Sequence, residues 1–504
     1  MHMNHIFERV TPESVGIPSS AIMETLENLR TCGAEVHSFM LLRYGKLCAE
    51  GWYRPYAPDI PHIMFSFSKS FTSTAIGFAE QEGILSLDEK LVDMFPDLLP
   101  ENPSENLKKC NISHLLMMGC GHEEEIDFFN ASENWISAFL HQPFVYEPGT
   151  HFLYNTAGTN MLSAILQKKT GQTLTQFLEP RLFAPLGITD AKCFTLDNGV
   201  EAGGFGFKLK TEDMARFIEF VRCKGNWQGK QLLRSDWFDR ATSKQISNAT
   251  NDLPDWKCGY GYQFWRCQPE SVFRGDGAFG QYGIVMPEQE AALVMTSCEM
   301  NMQAALDVFW NSLLPKMHNE PLPENPAALV KLHFTLENLA LPEMLSEDVI
   351  EAQAKLAKQE FLPKETLPCF TTLIAGAGRF VLDEGNLVSL SFSFDQAEGA
   401  TLHVQETARS YDLKLGTRGR FVTTMIGSEP FAANTRWRAQ NKLEAEIRNL
   451  NACTGTRFLF CFTETGMTIT ADRTLPISGG LADPILPDMA FIAANALLEI
   501  EEEN

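Results

Sequence analysis

Helical periodicity is clearest just after Phe65, where Phe71, Ala75, Phe78 and Ala79 share one face, Gly83 supplies a stop and Ser86-Leu87-Asp88 a turn. A second helical stretch, 161–170, follows a turn-rich approach and is closed by Gly171. Period-two patterns bracket these helices. Segments 36–42 and 46–52 read as a hairpin around Tyr44-Gly45, and strands return at 260–266 and 281–295. Phe273 to Tyr282 carries glycines at 275, 277 and 280, small residues that let a ligand approach a strand backbone.

Past residue 315 the pattern changes. Prolines at 315, 321, 323 and 326, mixed with charges, predict a linker at 319–327 between a first domain, 1–318, and a second, 328–504. After a helical passage at 346–359, period-two segments at 387–394, 401–404, 442–447, 457–462 and 467–470 make this second domain β-rich. It shows no repeat and no catalytic constellation; covering the site, assembly and stabilisation all stay open as its role. The chain closes on an acidic end, 500–504, expected to fray.

Candidate chemistry sits at the first helix. Ser66-Phe67-Ser68-Lys69 stacks a hydroxyl and an amine one turn apart. The Ser66 amide, at a helix start, has no intrahelical acceptor and faces the positive end of the dipole, so it is free to donate to an oxyanion. A buried Lys69 would lose proton affinity and take the proton of Ser66. The bland alternative is an ordinary helix start, with Ser66 a cap and Lys69 a solvated charge. Tyr154, at the approach to the second helix, reads either as a core aromatic or as a phenol that a nearby amine stabilises as phenolate. Gly275-x-Gly277-x-x-Gly280 matches a dinucleotide fingerprint literally, but the match is weak: the fingerprint must open a helix, whereas Gln281 onward reads as strand and is closed by Pro287.

Together these segments resemble the serine β-lactamase and penicillin-binding-protein superfamily, in its class C-like branch of esterases and D-amino-acid peptidases. The resemblance runs from about Pro12 to about Pro315, through Pro12-Glu13-Ser14-Val15-Gly16-Ile17, the Ser-x-x-Lys segment, Leu115-Leu116-Met117-Met118, Pro148-Gly149-Thr150, Gly203-Gly204-Phe205-Gly206 and Gly275 to Gln281. It implies an α+β fold, a β-lactamase-like catalytic domain with an antiparallel sheet flanked by helices plus a helical lobe, followed here by the C-terminal β-rich domain. It also implies Ser66 as acylated nucleophile, Lys69 as its base and Tyr154 as the tyrosine of the family's Tyr-x-Asn motif. Oxyanion donors would be the backbone amides of Ser66 and of Phe279 or its neighbour Ala278. Asn155, Thr156, Asp276 and Gly277 would line the substrate site. Two departures stand out: Thr156 replaces the motif's asparagine, with Asn155 one place early, and Asp276-Gly277-Ala278 stands where the family has Lys-Thr-Gly or His-x-Gly. An acid in that strand would disfavour carboxylate-bearing β-lactams. The expected activity is hydrolysis of small esters or amides through an acyl-Ser66 intermediate, without cofactor; a non-hydrolytic penicillin-binding-like sensor, and a β-lactamase or D-aminopeptidase, are the alternatives.

Composition narrows the partners. A net charge of -23, from 64 acidic against 41 basic residues, repels nucleic acid and anionic lipid. Neither an apolar membrane span nor a signal core is present, so a cytoplasmic location is expected; oligomeric state is not readable. The twelve cysteines, among them Cys32, Cys48, Cys110 and Cys120, form no Cys-x-x-Cys pair and read as buried thiols. His122-Glu123-Glu124-Glu125 lacks a second histidine and reads as a solvated loop at the site mouth, with no metal.

Overall fold

The hairpin Glu35–Arg43 and Lys46–Trp52 forms one edge of a six-stranded antiparallel sheet, whose order continues through Ala291–Cys298, Gln281–Met286, Phe273–Gly277 and Trp265–Arg266. Residues from both ends of the first domain are thus zipped together, with Phe39 opposite Met295 and Leu41 opposite Leu293. The computed structural model describes residues 6–126, 134–196, 198–342, 344, 356–357, 359–378, 383–395, 399–417, 419–475, 486 and 488–494. Side-chain alternation gives the sheet two buried faces. Phe39, Leu41, Leu293 and Met295 pack on Ile22, Leu26 and Leu29 of the helix Ser19–Thr31. Gly283 lies opposite Val294, and there Phe67 and Ile218 press so close that a Cβ would meet them at 2.5–2.6 Å. Phe67 and Ile218 bring the helices Ser68–Gln81 and Thr211–Arg222 to this second face, where Phe71 stacks on Phe217 at 3.7 Å.

Of the expected strand 260–266 only Trp265–Arg266 forms. A Cβ at Gly261 would collide with the Ala241 carbonyl, and Gln263 sits at φ 65°, so beyond isolated bridges of Tyr260 to Ile246 and Trp265 this stretch bends instead of forming a strand. The second helix begins earlier than its apolar pattern, at Thr156, because Asn155 caps it by accepting from the Gly158 amide at 2.8 Å.

The β-rich region is a ten-stranded antiparallel sheet curled into a near-barrel, running in order from Ser410–Leu415 at one end to Val422–Ile426 at the other. Those end strands approach each other: the Lys414 amide donates to Thr424 Oγ1 at 3.0 Å. Phe361, Phe392, Phe431, Phe458 and Phe460 fill the interior, which leaves polar residues outside. The expected helix at 346–359 falls mainly on residues outside those described, as do 500–504.

The chain divides into two compact units, one of 1–51 and 63–337, the other of 52–62 and 338–504. The break falls at 337, past the expected linker, because Pro326 starts the helix Pro326–Glu337 and Leu332 is buried in the first unit. A loop of the first half also crosses over: Tyr53, Tyr56 and Ile60 pack with Leu341, Ala432 and Leu450 in the second unit.

Candidate active site

Ser66 lies in a single 3-10 turn, Phe65–Phe67, that runs straight into the helix Ser68–Gln81. Phe65 is left-handed at φ 45°, and across the site Phe279 is left-handed at φ 65°; their rings meet edge to face at 5.4 Å. Non-glycine residues hold such backbone only where packing imposes it, at about 1–3 kcal/mol each, and such strain collects at functional sites. Gly277 makes the close approach possible, since a Cβ there would collide with the Met64 carbonyl. Among the described residues the amides of Ser66, Ala278 and Phe279 donate to no protein acceptor. The carbonyls of Ala278 and Phe279, by contrast, are tied inward: Gln281 Nε2 donates to Ala278 O at 3.0 Å and Ser297 Oγ to Phe279 O at 2.9 Å.

Lys69 is 1% exposed. Its amine is 3.1 Å from Ser66 Oγ, 2.7 Å from the Gly204 carbonyl and 3.3 Å from Thr156 Oγ1. Burial pushes its pKa down to about 7, against the opposing pull of the Glu125 and Asp276 carboxylates. The Tyr154 ring lies 4.9 Å from the same amine, and its hydroxyl shares a hydrogen bond with Ser66. The expected phenolate is corrected: burial first, then the Asp276 carboxylate, holds Tyr154 well above the usual phenol range, so it is a neutral donor. Trp265 stacks on Tyr154 at 5.3 Å and fixes the ring.

The chain matches the Beta-lactamase family model over residues 27–308, more than half its length. It belongs to the Beta-lactamase family. The motif-based recognition and the hydrolase class stand with that match, and the α+β fold with its β-rich extension stands with the six- and ten-stranded sheets. The chain is 22% identical to Beta-lactamase of Escherichia coli (strain K12), over 49% of its own length and 78% of that protein. It is 24% identical to the 6-aminohexanoate-dimer hydrolase of Paenarthrobacter ureafaciens, over 52% and 72%. Among solved structures, the octameric penicillin-binding protein homologue from Pyrococcus abyssi covers 94% of this chain and 99% of its own at 13% identity, with a TM-score of 0.47.

The departures from the Beta-lactamase-family motifs take physical form here. Thr156 faces the Lys69 amine, whereas Asn155 is buried and spends its amide on the fold: Oδ1 caps the helix and Nδ2 donates to His122 Nδ1 at 3.2 Å. Asp276 is not a bare acid. Arg274, 0% exposed, donates to it from Nε at 2.8 Å, which neutralises the charge that was expected to repel substrate carboxylates. Nor is the His122 segment uniformly solvated. His122 is fully buried against Phe139 and Phe144, while Glu125 is exposed and accepts from the Thr156 and Ala157 amides. Cys48, Cys110 and Cys120 are buried, but Cys32 is exposed. Two contributors had no legible role in the sequence: the Gly204 carbonyl and Glu125. A carbonyl leaves no side-chain signature, although Gly204 lies within the quoted Gly203 to Gly206 run.

Proposed function

We propose that this chain is a serine hydrolase that cleaves small esters or amides through an acyl-Ser66 intermediate. The reading is carried by one observation: a buried lysine holds its amine 3.1 Å from a half-buried serine hydroxyl, and burial pushes that amine's pKa down to about 7. Neutral Lys69 has two N–H groups and one lone pair. Gly204 O and Thr156 Oγ1 take the N–H groups, so the lone pair faces Ser66 Oγ. In acylation the amine accepts the Ser66 proton as Oγ bonds to the substrate carbonyl carbon. The carbonyl oxygen gains the charge and receives the amides of Ser66 and Phe279, with Ala278 as the alternative donor. Protonated Lys69 returns its proton through the Tyr154 hydroxyl to the leaving alcohol or amine. Water repeats the sequence on the acyl-enzyme and frees the acid.

The hydrolase names among the relatives support the reaction class; they leave the substrate open. With Arg274 beside Asp276, anionic substrates such as β-lactams are not barred by charge, and a panel of chromogenic esters, D-amino-acid peptides and β-lactams tests all three. Ser66→Ala is expected to abolish both turnover and fluorophosphonate labelling while leaving the fold intact, since the Ser66 side chain caps neither the Phe65–Phe67 turn nor the helix Ser68–Gln81. Adduct mass on Ser68 or on a cysteine would refute the assignment.

A further inference from the structure

Directly behind the Ala278–Phe279–Gly280 turn lies a buried acid that the chemistry above does not use. Glu299 follows the strand Ala291–Cys298 and is 3% exposed, and no lysine, arginine or histidine pairs with it among the described residues. Its Oε1 has no hydrogen-bond partner. The Glu299 amide donates to Phe279 O at 3.1 Å. The Ser297 and Tyr282 hydroxyls lie beside its carboxyl and pull its pKa down against burial, although the Tyr282 hydroxyl itself donates to the Met302 carbonyl at 2.8 Å. Ser297 Oγ in turn reaches both Phe279 O at 2.9 Å and Gly280 O at 2.8 Å. Both side chains are pressed on Gly280, at φ 88°, where a Cβ would collide with Ser297 Oγ and Glu299 Oε1.

Resting on the acyl-serine reading, we propose that Glu299 is a positioning residue: as a neutral carboxylic acid it donates to Ser297 Oγ, freeing the serine proton for the Phe279 and Gly280 carbonyls and so holding the Phe279 amide on the oxyanion. The hydroxyl has one proton, so the direction of this chain matters. A carboxylate is the stronger acceptor; once Glu299 loses its proton to solvent, the Ser297 O–H turns toward it and releases both carbonyls. The bare charge, in a dry site, also opposes the developing oxyanion. Burial raises the Glu299 pKa to about 8, which puts this switch at the alkaline edge of neutrality. The titratable groups facing it are Tyr282, on the neighbouring strand, and Cys32, at the end of the helix Ser19–Thr31.

The test is the pH dependence of Ser66 acylation by a fluorophosphonate, read by intact mass, alongside kcat for an ester. In the wild-type chain both should decline about tenfold by pH 9, one unit past the Glu299 transition. In Glu299→Gln, which keeps the shape and can donate to Ser297, the decline should move up by a pH unit or more, while KM stays constant. Ser297→Ala, which cuts the link, should lower kcat several-fold and lose the same alkaline step. Adducts on Ser66 with an unchanged decline in Glu299→Gln or in Ser297→Ala overturn the positioning role alone. Absence of any Ser66 adduct overturns it together with the nucleophile on which it rests.

Discussion

Lys69 concentrates the cost and the use of the site. Its neutral amine is what the unfolded chain would protonate, so the folded state gains stability as pH rises from about 7 to about 10.5 and bears the full penalty below that window. Lys69→Met should therefore raise the melting temperature at pH 7 while lowering acylation by at least about a hundredfold, the loss typical of a general base. A variant that is both less stable and inactive would mean that the amine is charged and paired in the fold. The same logic fixes the sign for Glu125, whose carboxylate raises the Lys69 pKa. Glu125→Gln should shift the acid limb of kcat/KM to lower pH, and a shift upward would exclude the coupling. Ser66, Lys69 and Tyr154, which the fold brings together, could be named as candidates because a hydroxyl, an amine and a phenol announce their chemistry and a helix fixes the spacing of the first two. Glu125 was not, because its part depends on reaching amides 31 positions away, and no local pattern encodes that.

At the scale of elements, the helix Thr156–Thr170 shows how a structural residue borrows a catalytic address. Asn155 sits between Tyr154 and Thr156, yet it is the cap, and its amide leans on His122. Burial between Phe139 and Phe144 depresses the His122 pKa to about 4 from an unfolded value near 6.5. The unfolded state then binds the extra proton between those values, so stability falls as pH drops from about 6.5 to about 4, by about 3 kcal/mol in total. His122→Gln, which keeps an acceptor for Asn155, should flatten the acid side of the melting-temperature profile; an unchanged profile would place the acid sensitivity elsewhere. Strands with clean alternation, such as Lys442–Asn449 and Gly455–Phe462, were legible for the opposite reason, since each has one face in the Phe-rich core. Glu429–Ala439 was missed: Pro430, Asn434, Arg436 and Arg438 disguise it, although Phe431, Ala433 and Trp437 point inward.

The whole molecule is two units that share one chain in an interleaved order. Period and composition revealed that a second, β-rich unit exists, but not that 52–62 belongs to it, since a loop's partners are invisible to local pattern. A chain ending at residue 337 would leave Tyr53, Tyr56 and Ile60 without Leu341, Ala432 and Leu450. Such a fragment should bind a hydrophobic dye and precipitate on mild heating, and a soluble fragment with full esterase turnover would show that the crossover segment is dispensable. Interleaving also has a consequence in time. Asn451 Nδ2 donates to the Pro61 carbonyl across 390 positions of chain. On a ribosome adding 5–20 residues each second, Pro61 waits roughly 20–80 s for that partner to be synthesised. Throughout that interval the stretch leading into the Phe65–Phe67 turn is nascent polypeptide without its packing, only a few residues upstream of Ser66.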